Sequence, residues 1–177
     1  EAMYSIASVS EVELETSLPG SSVGSRIFIK NGDIVEQTDS PPIRGTRVKV
    51  LKLFGNFPAR KKFLKSNVAE SGRIHRLVQR YAMIRPDVSF ALRQGQARPF
   101  TTHGKSDFRE GLTAVYGRKV SAGFLSIDPY DSVFSDEGLS VTGIISTPAE
   151  TRANRSHINI FVNGRWVEDK TMAFAFI

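Results

Sequence analysis

The residues best placed to do chemistry lie between Gly45 and Leu64, where an alternating strand meets a basic helix through a turn punctuated by Gly55 and Pro58. Such a junction builds a site from backbone geometry. Gly45 lets main chain approach a ligand without a side-chain clash, Thr46 adds a hydroxyl, and Arg60, Lys61 and Lys62 leave cations alongside. The chemistry this offers is the binding of anions. Gly45-Thr46 fits a plain tight turn entering a strand equally well, and the basic helix fits a solvated face, so the residues alone leave these readings open.

Bond-breaking chemistry finds less support. His75, His103 and His157 have no compact metal-ligand spacing, and no cysteine is present to supply a thiol nucleophile, a disulfide or a thiolate ligand. Serine, histidine and acidic residues are scattered, without a nucleophile elbow. No catalytic residue and no metal ligand is assigned. The formal charge of +6 favours anionic partners. It is concentrated between Arg44 and Arg80, where Arg47, Lys49, Lys52, Arg60, Lys61, Lys62, Lys65, Arg73 and Arg76 also fall, against Glu70 alone. DNA would be drawn to such a segment through many salt-sensitive contacts. No apolar run approaches the roughly 20 residues of a spanning helix, and the first residues lack a secretory pattern. No membrane partner is expected.

These side chains need elements to hold them. Residues 1–8 read as the end of a helix, Val9–Leu14 as a half-buried strand, Pro19-Gly20-Ser21-Ser22 as a turn, and Ser25–Lys30 as a second strand. Asn31-Gly32 predicts a hairpin returning through Asp33–Gln37, because both residues tolerate positive φ. After Pro41-Pro42, the alternation of Thr46, Val48 and Val50 predicts the next strand. Pro58 opens a helix with Phe63 and Leu64 toward the core, and a second helix runs from about Val68 until Pro86 ends it. Beyond Pro86 we expect a strand over Val88–Arg93, a return over Ala97–Phe100, and a helix over Phe108–Tyr116 capped by Asp107 and stopped near Gly117. Further strands are expected over Val120–Ile127, Leu139–Ile145 and His157–Val162. The last turns at Asn163-Gly164 into Trp166 and Val167, and a helix starts near Asp169. The change of pattern at residue 86 is the predicted domain boundary.

Three ordered motifs resemble the MutL/MLH/PMS family of DNA mismatch repair proteins, in the GHKL ATPase superfamily, over nearly the whole chain. Glu1-Ala2 with Ser5-Ile6 and Val9-Ser10 resembles the end of a Gly-Glu-Ala-Leu-x-Ser-Ile motif, with Met3 in the leucine position. Gly45-Thr46, Leu53-Phe54, Asn56, Pro58-Ala59-Arg60, Lys62 and Phe63-Leu64 supply the second, with Phe57 where Asn-Thr-Pro-Ala-Arg has threonine. Arg152-x-Asn154-Arg155 and Phe161-Val162-Asn163-Gly164-Arg165 supply the third.

The resemblance implies an α/β fold: residues 1–86 as the carboxyl-terminal part of a GHKL ATPase domain, and 87–177 as a ribosomal-protein-S5-like transducer domain, incomplete at its end. It places Glu1, Ala2, Gly45 and Thr46 beside bound ATP, with Thr46 at the adenine side. It makes Arg60, Lys61, Lys62, Arg152, Arg155 and Arg165 candidates for DNA phosphate contacts. The parent protein would use ATP and magnesium. The family's general-base glutamate, magnesium-binding asparagine and adenine-recognising aspartate precede Glu1, and its phosphate-sensing lysine follows the third motif, so the chain reads as an internal fragment with little ATPase activity of its own. Implied partners are double-stranded or single-stranded DNA, a mismatch-recognition protein, and a second copy or a paralogue. The expected location is cytoplasmic for a bacterial protein and nuclear for a eukaryotic one. The other reading is an autonomous DNA-binding or protein-interaction module without ATPase activity.

Overall fold

The computed structural model describes residues 2–105, 107–127, 138, 140–151 and 155–175, with the backbone alone at Arg155. They group into two compact units, residues 1–67 and 68–177. The long helix that Pro86 follows groups with the second unit, so this division falls earlier than the change in sequence pattern.

The first unit is an antiparallel sheet with a short helix, α1 (Ala2–Ala7), leading into it. Its strands β1 (Glu11–Ser17), β2 (Gly24–Lys30), β3 (Asp33–Ser40) and β4 (Gly45–Leu51) lie in the order β3-β2-β1-β4. The β2–β3 connection is the expected Asn31-Gly32 hairpin, with φ of 54° and 92°. Positive φ at both positions matches the twist of the flanking strands.

Alternation along β1 gives the sheet two different faces. Val12, opposite Ile29 on one side and Val50 on the other, is fully buried. Glu11, Glu13 and Glu15 project to the other face, where cations of the neighbouring strands meet them. Glu13 pairs with Lys49 at 2.6 Å and Arg26 at 3.2 Å, Glu15 with Arg47 at 2.6 Å, and Glu11 with Lys52 at 3.1 Å and Lys30 at 3.8 Å. Cross-strand pairs of opposite charge also fix register, since a one-residue slip would turn every carboxylate to the apolar side.

After β4 the chain turns through Lys52 and Phe54, both at positive φ, into α2 (Pro58–Lys61). The turn is held by the Phe54 amide donating to the Val9 carbonyl and by Asn56 donating to the Asn31 side chain. Helix α2 lasts one turn, too short to lay an amphipathic face on the sheet. Phe63 and Leu64, expected to face the core, are 81% and 38% exposed instead.

The second unit is built on α3 (Asn67–Ile84) and α4 (Phe108–Tyr116). Ala82, Met83, Phe100 and Leu112 are its buried apolar residues. Gly111 allows close approach of these helices: a Cβ there would lie 2.6 Å from the Ala82 carbonyl oxygen. Asp107 caps α4 by accepting from the Arg109 amide, and Gly117 at φ 81° ends it, as the sequence predicts. Among the described residues the unit also has three short antiparallel strand pairs: β5 (Ala91–Leu92) with β6 (Phe100–Thr101), β7 (Phe124–Ile127) with β8 (Gly143–Ser146), and β9 (Ile160–Val162) with β10 (Arg165–Val167). Helix α6 (Lys170–Phe174) follows, its Met172 amide capped by Asp169.

Several expected strands are corrected: Val88–Arg93 is a strand only over Ala91–Leu92, its return expected over Ala97–Phe100 is observed as Phe100–Thr101, and the one expected over Leu139–Ile145 as Gly143–Ser146. The segment from Val120 begins as part of a one-turn helix, α5 (Arg118–Ser121), because Gly117 redirects the chain and Ser121 Oγ bonds back to the Arg118 carbonyl and to Thr113. His157 lies in a 3-10 turn (Arg155–His157), so the strand expected from it starts only at Ile160. No helix among the described residues is long and apolar enough to cross a membrane.

Candidate functional site

In the first unit the candidate site is the Gly45 end of β4. Gly45 has φ 84°, which a β-branched or bulky side chain would resist, and a Cβ built there would meet nothing within 4 Å. Backbone conformation, not crowding, calls for glycine. The next residue, Thr46, lies directly opposite Thr16 of β1. Their hydroxyl oxygens are 2.8 Å apart, and Thr16 Oγ1 also lies 3.4 Å from the Gly45 carbonyl oxygen. Ser17, the last residue of β1, accepts from the Ile43 amide at 3.0 Å and ties down the segment that leads into β4. Thr46 itself is exposed. The arrangement can present one oriented hydroxyl and an unobstructed stretch of main chain.

Ala2 opens α1, and no hydrogen bond joins it to Gly45 or Thr46 among the described residues. Glu1 and Arg152 lie outside the described residues, as does the side chain of Arg155, whose backbone opens the 3-10 turn.

The expected cations of α2 are all exposed. Arg60 and Lys61 occupy its last turn and Lys62 is its C-cap. Phe57 is the N-cap but offers no side-chain hydrogen bond, where a threonine hydroxyl would accept from the helix amides. Its ring instead packs under the Arg60 guanidinium at 5.5 Å. No carboxylate pairs with Arg60, Lys61 or Lys62 among the described residues.

In the second unit the site is the β9–β10 hairpin. Asn163 and Gly164 have φ of 49° and 76°, repeating the turn geometry of Asn31-Gly32, and Arg165 emerges exposed as the first residue of β10. What fixes this hairpin is Arg80. Its guanidinium carbon lies 4.0 Å from the centroid of the Trp166 ring, and its Nε donates to Asn159 Oδ1 at 2.8 Å. Tyr81, the next residue of α3, meets Phe161 edge to face at 6.1 Å. One turn of α3 therefore grips both strands. Arg80 and Trp166 also line a hollow of about 160 Å³ with Ser156, Glu168, Asp169 and Lys170. Its cations and carboxylates are mixed, so it has no clear preference for either charge.

Thr16, Arg80, Asn159 and Trp166 carry no signal by motif. Thr16 becomes visible only once strand register is known. Arg80 is one cation among many until the hairpin beneath it is folded. Among the described residues no three histidine, aspartate or glutamate side chains gather to hold a metal ion.

Comparison with known proteins gives this geometry a family. The family model described as "DNA mismatch repair protein, C-terminal domain" matches residues 112–176. The chain is 36% identical over 177 residues to the DNA mismatch repair protein MutL of Lacticaseibacillus casei (strain BL23), an alignment covering 100% of this chain and 26% of that protein. It is 39% identical over 175 residues to MutL of Geobacillus sp. (strain WCH70), covering 99% of this chain and 27% of that one. Among solved structures, the Aquifex aeolicus MutL ATPase domain complexed with ADP matches with a TM-score of 0.74 and 27% identity, over 98% of this chain and 65% of that chain. The chain thus has the α/β fold of part of these ATPase domains and spans about a quarter of the length of the curated relatives. It belongs to the MutL/MLH/PMS family of DNA mismatch repair proteins, within the GHKL ATPase superfamily.

Proposed function

We propose that this chain works in a mismatch repair protein that couples ATP binding and hydrolysis to dimerisation, DNA binding and recruitment of repair factors, a mismatch-recognition protein among them. In this reading residues 1–86 close a GHKL ATPase domain and 87–177 form an S5-like transducer domain. The dimer partner is a second copy or a paralogue, and the setting is the bacterial cytoplasm or the eukaryotic nucleus.

The observation that carries the DNA half is the exposed Arg165, held at the start of β10 by a two-residue turn and by the Arg80 grip behind it. A guanidinium on a fixed hairpin can position phosphate without reading bases. Arg152 and Arg155 are assigned to the same surface by their place in the sequence motif, and Arg60, Lys61 and Lys62 to a separate phosphate-contacting surface.

For the nucleotide half, the exposed Thr46 hydroxyl and the open main chain at Gly45 fit the edge of a base. The described residues fit magnesium poorly, since no acidic or histidine cluster is available to hold it. Bound ATP would supply the hydrolysable phosphate bond. The contribution of this chain is to hold and orient the base, with Glu1 and Ala2 assigned to the nucleotide lid.

The test is duplex-DNA binding by fluorescence anisotropy across a salt series, comparing the chain with Arg165→Ala and with the triple Arg152→Ala, Arg155→Ala, Arg165→Ala variant. Each lost phosphate contact should flatten the plot of log affinity against log salt by roughly 0.9. A folded triple variant that binds as the wild type does would remove these arginines from the DNA surface. Salt-sensitive DNA binding by a chain with no measurable affinity for ATP would favour the autonomous binding module.

A further inference from the structure

We infer that Asn163 is a site of spontaneous modification: the Gly164 backbone nitrogen displaces its side-chain amide, and the carboxylate that results weakens the hold of Arg165 on DNA phosphate. The second half rests on the reading of Arg165 as a phosphate contact, whereas the first stands on the turn alone.

The step is an intramolecular acyl transfer. The Gly164 nitrogen gives up its proton and attacks Asn163 Cγ. The N–Cγ bond forms, the Cγ–Nδ2 bond breaks, and Nδ2 takes up the proton and leaves as ammonia. Water then opens the cyclic imide at either carbonyl, which yields aspartate or isoaspartate. Glycine suits the attacking position because it has no Cβ to crowd the nitrogen.

The chain carries two Asn-Gly pairs, both in two-residue turns at positive φ, and they differ in what holds them. In each the ladder pairs the residues outside the turn, Lys30 with Asp33 and Val162 with Arg165, so neither glycine belongs to a strand. Asn31 is restrained. Its Oδ1 accepts from Asn56 Nδ2 at 2.7 Å, and its backbone amide donates to the Ser10 carbonyl at 3.4 Å. Gly32 is half-buried, and a Cβ on it would lie 3.8 Å from Ser8 Cα. The strands that carry this turn are seven and eight residues long and belong to the four-stranded sheet.

Asn163 has none of these restraints. Its side chain is exposed and has no hydrogen-bond partner among the described residues, and a Cβ on Gly164 would meet nothing within 4 Å. Its flanking strands are three residues each and, among the described residues, pair only with one another. Attack requires Cγ to swing over the next nitrogen, which the folded turn resists. A free side chain on a short pair of strands leaves that geometry more often than a bonded one on a long pair. The product places a negative charge two positions from Arg165, which is exposed and has no carboxylate partner among the described residues. A carboxylate there competes with phosphate for the guanidinium.

The experiment holds the full-length protein at mildly alkaline pH, which helps remove the amide proton. Peptide mapping follows aspartate and isoaspartate at positions 163 and 31 in the wild type, Asn56→Ala, Arg80→Ala and Asn163→Gly. In the wild type Asn163 should react first. The Asn56 hydrogen bond alone should slow Asn31 by about two- to tenfold, so Asn56→Ala should speed Asn31 by that factor and leave Asn163 unchanged. Arg80→Ala should speed Asn163 alone. Asn31 reacting as fast as Asn163 in the wild type, or Asn163 staying intact while a short peptide of the same sequence reacts, would overturn the assignment. Duplex-DNA binding is then compared between fresh and aged protein. Ageing should lower the affinity of the wild type and flatten its salt slope by up to roughly 0.9. Asn163→Gly keeps a residue suited to positive φ and has no amide to lose, so it should bind alike before and after ageing. Modified wild type that binds as fresh protein does, while Arg165→Ala binds more weakly, would overturn the effect on DNA. Unchanged binding by Arg165→Ala would instead remove the phosphate-contact reading and that effect with it, leaving the order of reaction of the two asparagines to stand or fall by itself.

Discussion

Replacing Arg80 by alanine should loosen the β9–β10 hairpin without unfolding the chain. Two interactions disappear together: the stack on Trp166 at 4.0 Å and the Nε hydrogen bond to Asn159 at 2.8 Å. A cation over an aromatic ring contributes roughly 0.5–1 kcal/mol when exposed and about 2 when desolvated, and both partners here are half-buried, so about 1 kcal/mol is appropriate. A hydrogen bond from a charged donor adds about 1.5 kcal/mol at the low end of its range, reduced by partial exposure. The sum, about 2 kcal/mol, corresponds to a roughly 30-fold rise in hairpin opening. Hydrogen exchange of the amides in the Trp166↔Phe161 and Val167↔Ile160 pairs reads this opening directly, with β1 amides as internal control. Trp166 is the single tryptophan of the chain, so its fluorescence should also move toward the solvent-exposed value. In a double-mutant cycle, Arg80→Ala and Trp166→Leu should couple by about 1 kcal/mol. Protection of the hairpin amides within twofold of wild type in Arg80→Ala would refute the idea that α3 holds this hairpin through Arg80.

Gly111→Ala sets helix propensity, which favours alanine by about 1 kcal/mol, against a Cβ placed 2.6 Å from the Ala82 carbonyl oxygen. Overpacking costs about 1–3 kcal/mol and backbone cannot step aside cheaply, so the substitution should destabilise; a raised Tm would show that α4 shifts freely. Asp107→Ala removes the cap of α4 and should cost about 1 kcal/mol, whereas Asp107→Asn should lose much less, as measured by urea unfolding of both variants. Hydrogen bonds from Lys49 and then Arg26 hold the Glu13 carboxyl below its usual range, outweighing the opposing effect of burial. Because the folded value is depressed, this stabilisation is fully present above the unfolded value near pH 4.3 and is lost as pH falls through the lower folded value. Glu13→Gln should flatten the fall of Tm in that acid window and leave neutral pH as the region of greatest difference; parallel profiles would exclude the linkage. Neutralising Lys49, which Glu13 already engages, should leave the salt slope of DNA binding unchanged, while Lys61→Gln should reduce it by roughly 0.9; equal reductions would contradict the division between paired and open cations.

Much of the fold is legible in local residue chemistry because its punctuation is local. Asn31-Gly32 and Asn163-Gly164 specify their turns through positive φ, and Asp107 and Gly117 bound α4 by hydrogen bonds and backbone angles that involve only neighbours. What sequence reading missed depends on distant partners. The apolar run at 120–127 is equally consistent with strand and helix by period, and the choice is made by Ser121 reaching Thr113. Thr16 is unremarkable in sequence. Its hydroxyl contact appears only when the β1–β4 register sets it across from Thr46, thirty positions away. Phe63 and Leu64 look like core residues by spacing, but α2 ends before it can bury them.

The same distinction between local and distant partners changes the meaning of the charge. Counted along the chain, the segment from Arg44 to Arg80 is almost uncompensated, with Glu70 as its single acid. Folded, Arg47, Lys49 and Lys52 meet Glu15, Glu13 and Glu11 from a strand more than thirty positions earlier, Arg73 meets Glu70, and Arg80 is engaged by Asn159 and Trp166. A cation that already neutralises a carboxylate must surrender that partner to gain a phosphate, so its net electrostatic return is small. Arg60, Lys61 and Lys62 have no such partner among the described residues, and neither does Arg165. Attraction for a polyanion should therefore be carried by exposed cations without a carboxylate partner, those of the one-turn helix and the hairpin among them, while the paired charge on the sheet keeps β1 in register. The strand cations of that segment are thus structural, and Arg60, Lys61 and Lys62 within it, with Arg165 in the second unit, are the stronger candidates for contact with DNA.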